Sequence, residues 1–302
     1  MVKQILVSYG IDVDAVSNWI NTGNGEPINA TKVSRGVFGG TIGMERVLAF
    51  LDKNNIKATL FTPAHSLKTF PEVLEKAKLA GHEFGLHGYT HETFSQMNLQ
   101  QHRDVMSKSI QAIEEFTGVR PVGFTAPSWE TNEHTVKVLE EFGIKYDHSF
   151  MYHDCQLHYL PYSDIDFAPT NYKVSAGSWM QPMQALKMSK IVEIPANWYL
   201  DDWPPMNIVV RGTGFSDPYS IEQIWKDQFT YFYETYDSFV FPMTIHPDVS
   251  GKGHLTRFHQ AMIDFINSHE GVRWVTMSEM ADEFLTGKFA GVDIKAGVSP
   301  TN

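Results

Sequence analysis

A short apolar run followed by a segment of helical period recurs along almost the whole chain, and this repeat restricts the fold more than any single residue does. Residues 5–13 alternate as a strand, and residues 43–55 read as a helix with Val47, Leu48 and Leu51 on one face. Residues 58–62 form a short strand. A helix over 71–80 follows, with Pro71 at its start and Gly81 just past its end. Strand and helix pairs come again at 82–87 with 99–117, and at 122–126 with 131–142. Further strands are predicted at 144–149, 190–196, 239–245 and 272–277, and helices at 220–236, 255–269 and 278–285. Repeated β-then-α units imply parallel strands covered by helices, and seven or eight of them predict an α/β barrel rather than an open sheet. Residues 151–189 are rich in Pro, Tyr and Asp without periodicity, and are expected to form a long loop over one mouth. No linker, repeat or charge block divides the chain, so one domain over 1–302 is expected, with 42% apolar residues to fill its core.

The bulk chemistry excludes some partners. Net charge is −11 and no Lys/Arg run marks a nucleic-acid face. Cys155 is the single cysteine, so an intrachain disulfide is impossible. Ser8, Asp12 and Asp14 interrupt the first apolar stretch, which lacks the plan of a signal peptide, and no apolar run is long enough to span a bilayer. The expected compartment is the cytoplasm.

Three stretches carry candidate chemistry. In "GIDVDAV", strand alternation puts Ile5, Val7, Tyr9, Ile11 and Val13 on one face, and Leu6, Ser8, Gly10, Asp12 and Asp14 on the other. Both acids then point the same way at the C-terminal end of a strand, where α/β barrels build their sites. A pair of solvated loop acids is the plainer alternative. In "HGYTHE", His87 and His91 are four apart, a spacing that lets both imidazoles converge in a turn or at a helix start. With 13 histidines in the chain such a pair also arises by chance. Two histidines with a strand-end carboxylate make an N/N/O set that leaves positions for water and substrate. In "IHPD", His246 ends another strand and suits a general acid, its ordinary pKa lying near neutrality; a plain loop histidine is the alternative.

These motifs in this order, with "SRGVFGG" at residues 34–40 and "GFTAPSW" near residue 125, resemble the polysaccharide deacetylase (NodB-homology) family over residues 5–284. The resemblance is to the branch of peptidoglycan deacetylase-like proteins, cyclic imide hydrolases and allantoinases. It implies a distorted parallel (β/α) barrel, and a divalent metal, usually zinc, on Asp14, His87 and His91. It assigns the general base to Asp12, and to His246 the proton given to the leaving nitrogen. Two departures stand out. Val13 separates acids that are adjacent in the family's commonest motif, which leaves open which is base and which is ligand. Thr125 stands where the family usually has an arginine beside the base, so Arg35 or Arg211 is the candidate substitute, or the base is tuned differently. Phe38, Gly39, Trp129, Trp198 and Trp203 are candidate substrate contacts, against ordinary packing. Glu92 and Asp248 either orient an imidazole or are surface acids.

The missing export signal and the expected loop over the mouth favour hydrolysis of a small cyclic amide, imide or ureide. The alternatives are N-deacetylation of amino-sugar polymers such as peptidoglycan or chitin fragments, and a catalytically silent binding protein. Relatives in this branch imply a homotetramer.

Overall fold

The computed structural model describes residues 3–161, 169–207 and 216–296. Among these residues nine strands form one curled, mostly parallel sheet, a half-barrel. They are β1 (Gln4–Asp12), β2 (Thr59–Thr62), β3 (Glu83–Leu86), β4 (Gly123–Phe124), β5 (Tyr146–Asp147), β6 (His158–Pro161), β7 (Met188–Glu193), β8 (Ser238–Ile245) and β9 (Val272–Trp274). The order is β6-β7-β5-β4-β3-β2-β1-β8, with β9 also pairing β1. β1 is the organising strand: Gln4–Ile11 run parallel to all of β8, while its first half also pairs β9 and its end pairs β2.

The curled parallel sheet is the expected distorted (β/α) barrel, and one feature corrects the sequence reading. Residues 151–189 are not only loop, because β6 within them pairs antiparallel with β7. Among the described residues, no ladder closes the barrel. Instead Val240 N–H donates to Cys155 C=O at 3.0 Å, and the Gln156 amide donates to Ser238 C=O at 2.8 Å, drawing the chain before β6 against β8. β4 and β5 are only two residues each, too short for period-2 alternation to set their limits.

Alternation along β1 divides the core as its sequence requires. Ile5, Val7, Tyr9, Ile11 and Val13 pack under the helices. Leu6 instead joins Phe61, Tyr146, Val192 and Val240 inside the barrel, and Met277 and Met280 pack into that same interior. Each such buried side chain contributes about 1.5–3 kcal/mol. The helix Met277–Leu285 that brings these methionines starts in a capping box, Thr276 with Glu279. The helix Leu99–Thr117 starts likewise, at Asn98 with Gln101.

A helix absent from the sequence reading, Ala30–Phe38, is capped by Asn29 and runs through a π-helical turn at Gly39–Gly43 into Met44–Lys53. The glycines of "SRGVFGG" and beyond are needed there for close approach. A Cβ on Gly43 would lie 2.2 Å from Pro247 O, and one on Gly39 would lie 2.9 Å from Asp248 Cβ. This helix thereby abuts the segment that follows His246.

Candidate active site

The strand β1 ends at Asp12. Val13 N–H still bonds to Phe61 C=O at 2.9 Å, and at Ala15 the backbone turns left-handed, φ 46°. Asp14 is thereby held over the same mouth. Its C=O accepts the Ser66 hydroxyl at 2.6 Å and Ser17 N–H at 2.9 Å, so its carboxylate leaves a fixed backbone.

His87 follows β3. Its Nδ1–H donates to Thr125 C=O at 2.8 Å, which fixes the ring orientation and turns Nε2 toward the acids. That nitrogen lies 3.3 Å from Asp14 Oδ1 and 3.6 Å from Asp12 Oδ2. His91 Nε2 lies 3.3 Å from Asp14 Oδ2. The four-residue spacing works as a tight turn, closed by Glu92, whose carboxylate accepts the N–H groups of Tyr89 and Thr90 at 2.8 Å each. His91 itself is left-handed, φ 60°.

His246 follows β8. Its Nδ1–H donates to Asp202 Oδ1 at 2.7 Å, and its backbone N–H reaches Asp202 Oδ2 at 3.0 Å. Asp201 Oδ1 is 3.6 Å from the same Nδ1, and Nε2 faces the cleft 3.7 Å from Asp12 Oδ2.

Burial acts on Asp12, Asp14 and His246, and their neighbours send the three in different directions. Burial pushes Asp12 up, and the imidazoles of His87 and His246 pull against it without prevailing. Burial acts the same way on Asp14, but His91 and His87 outweigh it and hold this carboxyl far below the usual range. Burial drags His246 down while Asp201 and Asp202 lift it well above its ordinary value, which favours the protonated imidazole. Two carboxyls and an imidazole are thus pushed apart in proton affinity, the pattern of assigned acid and base roles.

The donor set fits a divalent cation. Asp14 Oδ1, His87 Nε2 and Asp12 Oδ1 are buried without a hydrogen-bond partner, an arrangement that costs about 1–3 kcal/mol per group when nothing else is bound. Asp14 Oδ1 and His87 Nε2 face each other at 3.3 Å, close enough to share one cation. The donor atoms of Asp14, His87 and His91 all lie within 4.8 Å of one another. This is an N/N/O set with open positions.

Above the triad lies a cleft of about 470 Å³ with Asp12, Asp14, His91 and His246 on its floor. Four tryptophans wall it: Trp19, Trp129, Trp198 and Trp203. Trp129 meets Trp198 edge to face at 4.6 Å, and the Trp203 ring lies 4.8 Å from that of His246. Among the described residues five non-glycines have positive φ, and four of them (Ala15, His91, Ser128 and Trp129) sit in this region. Such backbone costs about 1–3 kcal/mol per residue and clusters where function requires it.

Several expectations are corrected. Residues 151–161 and 169–189 do not line the cleft; the segment after β1 and the loop before Trp203 do. Phe38 and Gly39 also lie outside it. The Lys252 ammonium covers the Phe38 ring at 3.5 Å, and Gly39 packs on Asp248. Asp248 is buried rather than a surface acid, pushed up to about 7 by burial, and among the described residues no hydrogen bond ties it to an imidazole. Glu92 holds backbone, not a ring. Arg35 stacks on Trp19 at 4.6 Å and bonds Asn207, and its charge bears on Asp248. Arg211 lies outside the described residues. The Thr125 hydroxyl donates to His148 C=O at 2.6 Å and accepts Trp129 Nε1–H at 3.2 Å, steadying the tryptophan wall. The sequence reading missed Trp19, Asp201 and Asp202. For the two acids the signal was the adjacent pair in "YLDDWPP", directly after the strand-like run 190–196.

Residues 39–146 match the family described as Polysaccharide deacetylase. A peptidoglycan deacetylase of Helicobacter pylori is 44% identical over 288 residues, covering 94% of this chain and 98% of that protein. A Mycobacterium smegmatis structure described as of polysaccharide deacetylase type superposes with a TM-score of 0.79 at 26% identity, covering 98% of this chain and 95% of that one. A solved allantoinase superposes with a TM-score of 0.74 at 21% identity, covering 94% and 92%, a likeness of fold alone.

Proposed function

Because the chain belongs to the polysaccharide deacetylase family and is a hydrolase of carbon–nitrogen bonds, we propose that it removes N-acetyl groups from amino sugars of the peptidoglycan type. The observation that carries this reading is the pairing of roles across the triad. A base, Asp12, lies beside Asp14, His87 and His91, and opposite a cationic acid, His246. The relative from Helicobacter pylori supports the amino-sugar substrate over a cyclic amide. The cyclic-amide reading leaned on a loop over the mouth, and the described part of that loop lies elsewhere.

Asp14, His87 and His91 would hold a divalent ion, zinc by preference, which when bound polarises the acetyl carbonyl and acidifies water. Asp12, raised by burial, takes the proton from the attacking water. His246 gives its Nε2 proton to the departing nitrogen as the C–N bond breaks, releasing acetate and a free amine. Asp201 and Asp202 keep that proton on His246 until it is needed. The 3.7 Å gap between Asp12 Oδ2 and His246 Nε2 then lets the proton pass back to the imidazole after a small motion. The tryptophan wall suits the apolar face of a pyranose ring.

The test compares acetate release from N-acetylglucosamine oligomers and peptidoglycan glycan fragments with ring opening of succinimide and hydantoin. Acetate release is expected; ring opening alone would overturn the reading.

A further inference from the structure

Asp202, the partner of the acid, is itself held from behind. Its Oδ2 accepts the Ser250 hydroxyl, on the short helix Pro247–Ser250 directly after His246. Ser250 Oγ lies 2.6 Å from His259 Nε2, and His259 Nδ1 lies 3.2 Å from the Tyr9 hydroxyl. Tyr9, Asp202, Ser250 and His259 are all fully buried, so no solvent competes for these bonds.

Counting protons gives the chain one direction. A carboxylate only accepts, so the single hydroxyl hydrogen of Ser250 goes to Asp202. Ser250 must then accept from His259, which places a hydrogen on Nε2 and leaves Nδ1 bare to accept from Tyr9. Every donor points toward Asp202, and His246 Nδ1–H meets it from the other side. His259 is kept neutral by its setting: it stacks on Phe50 at 5.2 Å and meets Trp225 and Tyr9 edge-on, and burial draws it down to about 4.

We infer that Ser250 and His259 are positioning residues for the general acid, fixing the rotamer and charge distribution of Asp202 so that His246 presents its Nε2 proton to the leaving nitrogen, with Tyr9 locking the His259 tautomer from the far end. The inference rests on the deacetylase reading for its kinetic consequence but not for its geometry. An amide nitrogen must be protonated to leave, whereas the phenolate of an aryl acetate need not be. Damage to the chain therefore lowers amide hydrolysis more than ester hydrolysis, while a general disturbance of the site lowers both alike.

The experiment uses the protein purified without chelator. It compares rates on an N-acetylglucosamine oligomer and on 4-nitrophenyl acetate for Ser250→Ala, His259→Leu, His259→Gln and Tyr9→Phe. In Ser250→Ala and His259→Leu the amide-to-ester ratio is expected to fall about 10-fold or more, a share of what general acid catalysis contributes. His259→Gln, whose amide can still donate to Ser250, is expected to recover most of that ratio, and Tyr9→Phe to lower it least. The second readout is the imidazole nitrogen NMR of His246. Its strongly hydrogen-bonded Nδ1–H resonance is expected to shift in Ser250→Ala and His259→Leu. An unchanged ratio together with an unmoved resonance overturns the inference. If the parent protein releases no acetate from any sugar, the deacetylase reading fails, and the His246 resonance alone decides for or against the chain.

Discussion

Two carboxyls one residue apart at the end of β1 meet different neighbours. Asp14 lies 3.3 Å from both His87 and His91, and the imidazoles hold it firmly ionised, as a ligand requires. Asp12 lies farther off, 3.6 Å from His87 and 3.7 Å from His246, and burial keeps it basic. Asp12→Asn is therefore expected to retain about one equivalent of divalent metal per chain and to lose turnover by about 10²-fold or more, a general-base-sized effect. Asp14→Asn is expected to lose the metal itself. Elemental analysis alongside the acetate assay reads both, and loss of metal from Asp12→Asn would exchange the roles. The sequence made this pair legible because period-2 alternation is a local rule: residues 12 and 14 share a face whatever the rest of the chain does. Asp202 was not legible. Its role comes from a loop returning to the end of β8, where Asp202 N–H bonds Thr244 C=O at 3.1 Å, a contact across 42 residues that no spacing rule encodes.

At the scale of elements, the loop between β3 and Glu92 shows how a ligand pair is held without a helix. Glu92 satisfies two backbone N–H groups and the Thr90 hydroxyl, and it is half-buried. Without that carboxylate the turn loses its closure, and His91, already left-handed, drifts from His87. Glu92→Ala is thus expected to weaken metal affinity by about 10–100-fold, the range for groups that support ligands, while Glu92→Gln is expected to lose less. Chelator-competition titration measures this, and an unaltered affinity in Glu92→Ala would deny the loop its role. Elements of strong period were readable here: β1, β8 and the capped helix Leu99–Thr117 lie close to their expected limits. The helix Ala30–Phe38 was not, because the glycines that follow it look like a helix end when they instead permit close packing on Pro247 and Asp248. β6 was hidden because its four residues lie in a Pro-, Tyr- and Asp-rich stretch, where its pairing with β7 decides its conformation rather than its own pattern.

Across the whole molecule, buried titratable groups oppose one another, which makes the raw pH profile a poor probe of any one of them. His259 has its folded pKa depressed from 6.5 to about 4 by burial, and His148 is lowered to about 4 for the same reason. Between these values, as pH falls, the unfolded chain takes up the proton first, so each histidine removes stability from pH 6.5 down to pH 4 and no further. Asp147 runs the other way. Burial raises it from 3.8 to about 7, the folded chain holds the extra proton between those values, and the stability it gives is lost as pH rises through 7. The difference between the parent and His259→Gln cancels the terms common to both. Urea unfolding is expected to show the parent's stability falling relative to the variant by about 3 kcal/mol between roughly pH 7 and pH 4. A difference that stays level across that range would mean His259 is already charged in the folded state. In that event its Nδ1 would donate to the Tyr9 hydroxyl, so Tyr9 would no longer fix the His259 tautomer, and the chain toward Asp202 would start at His259 rather than at Tyr9.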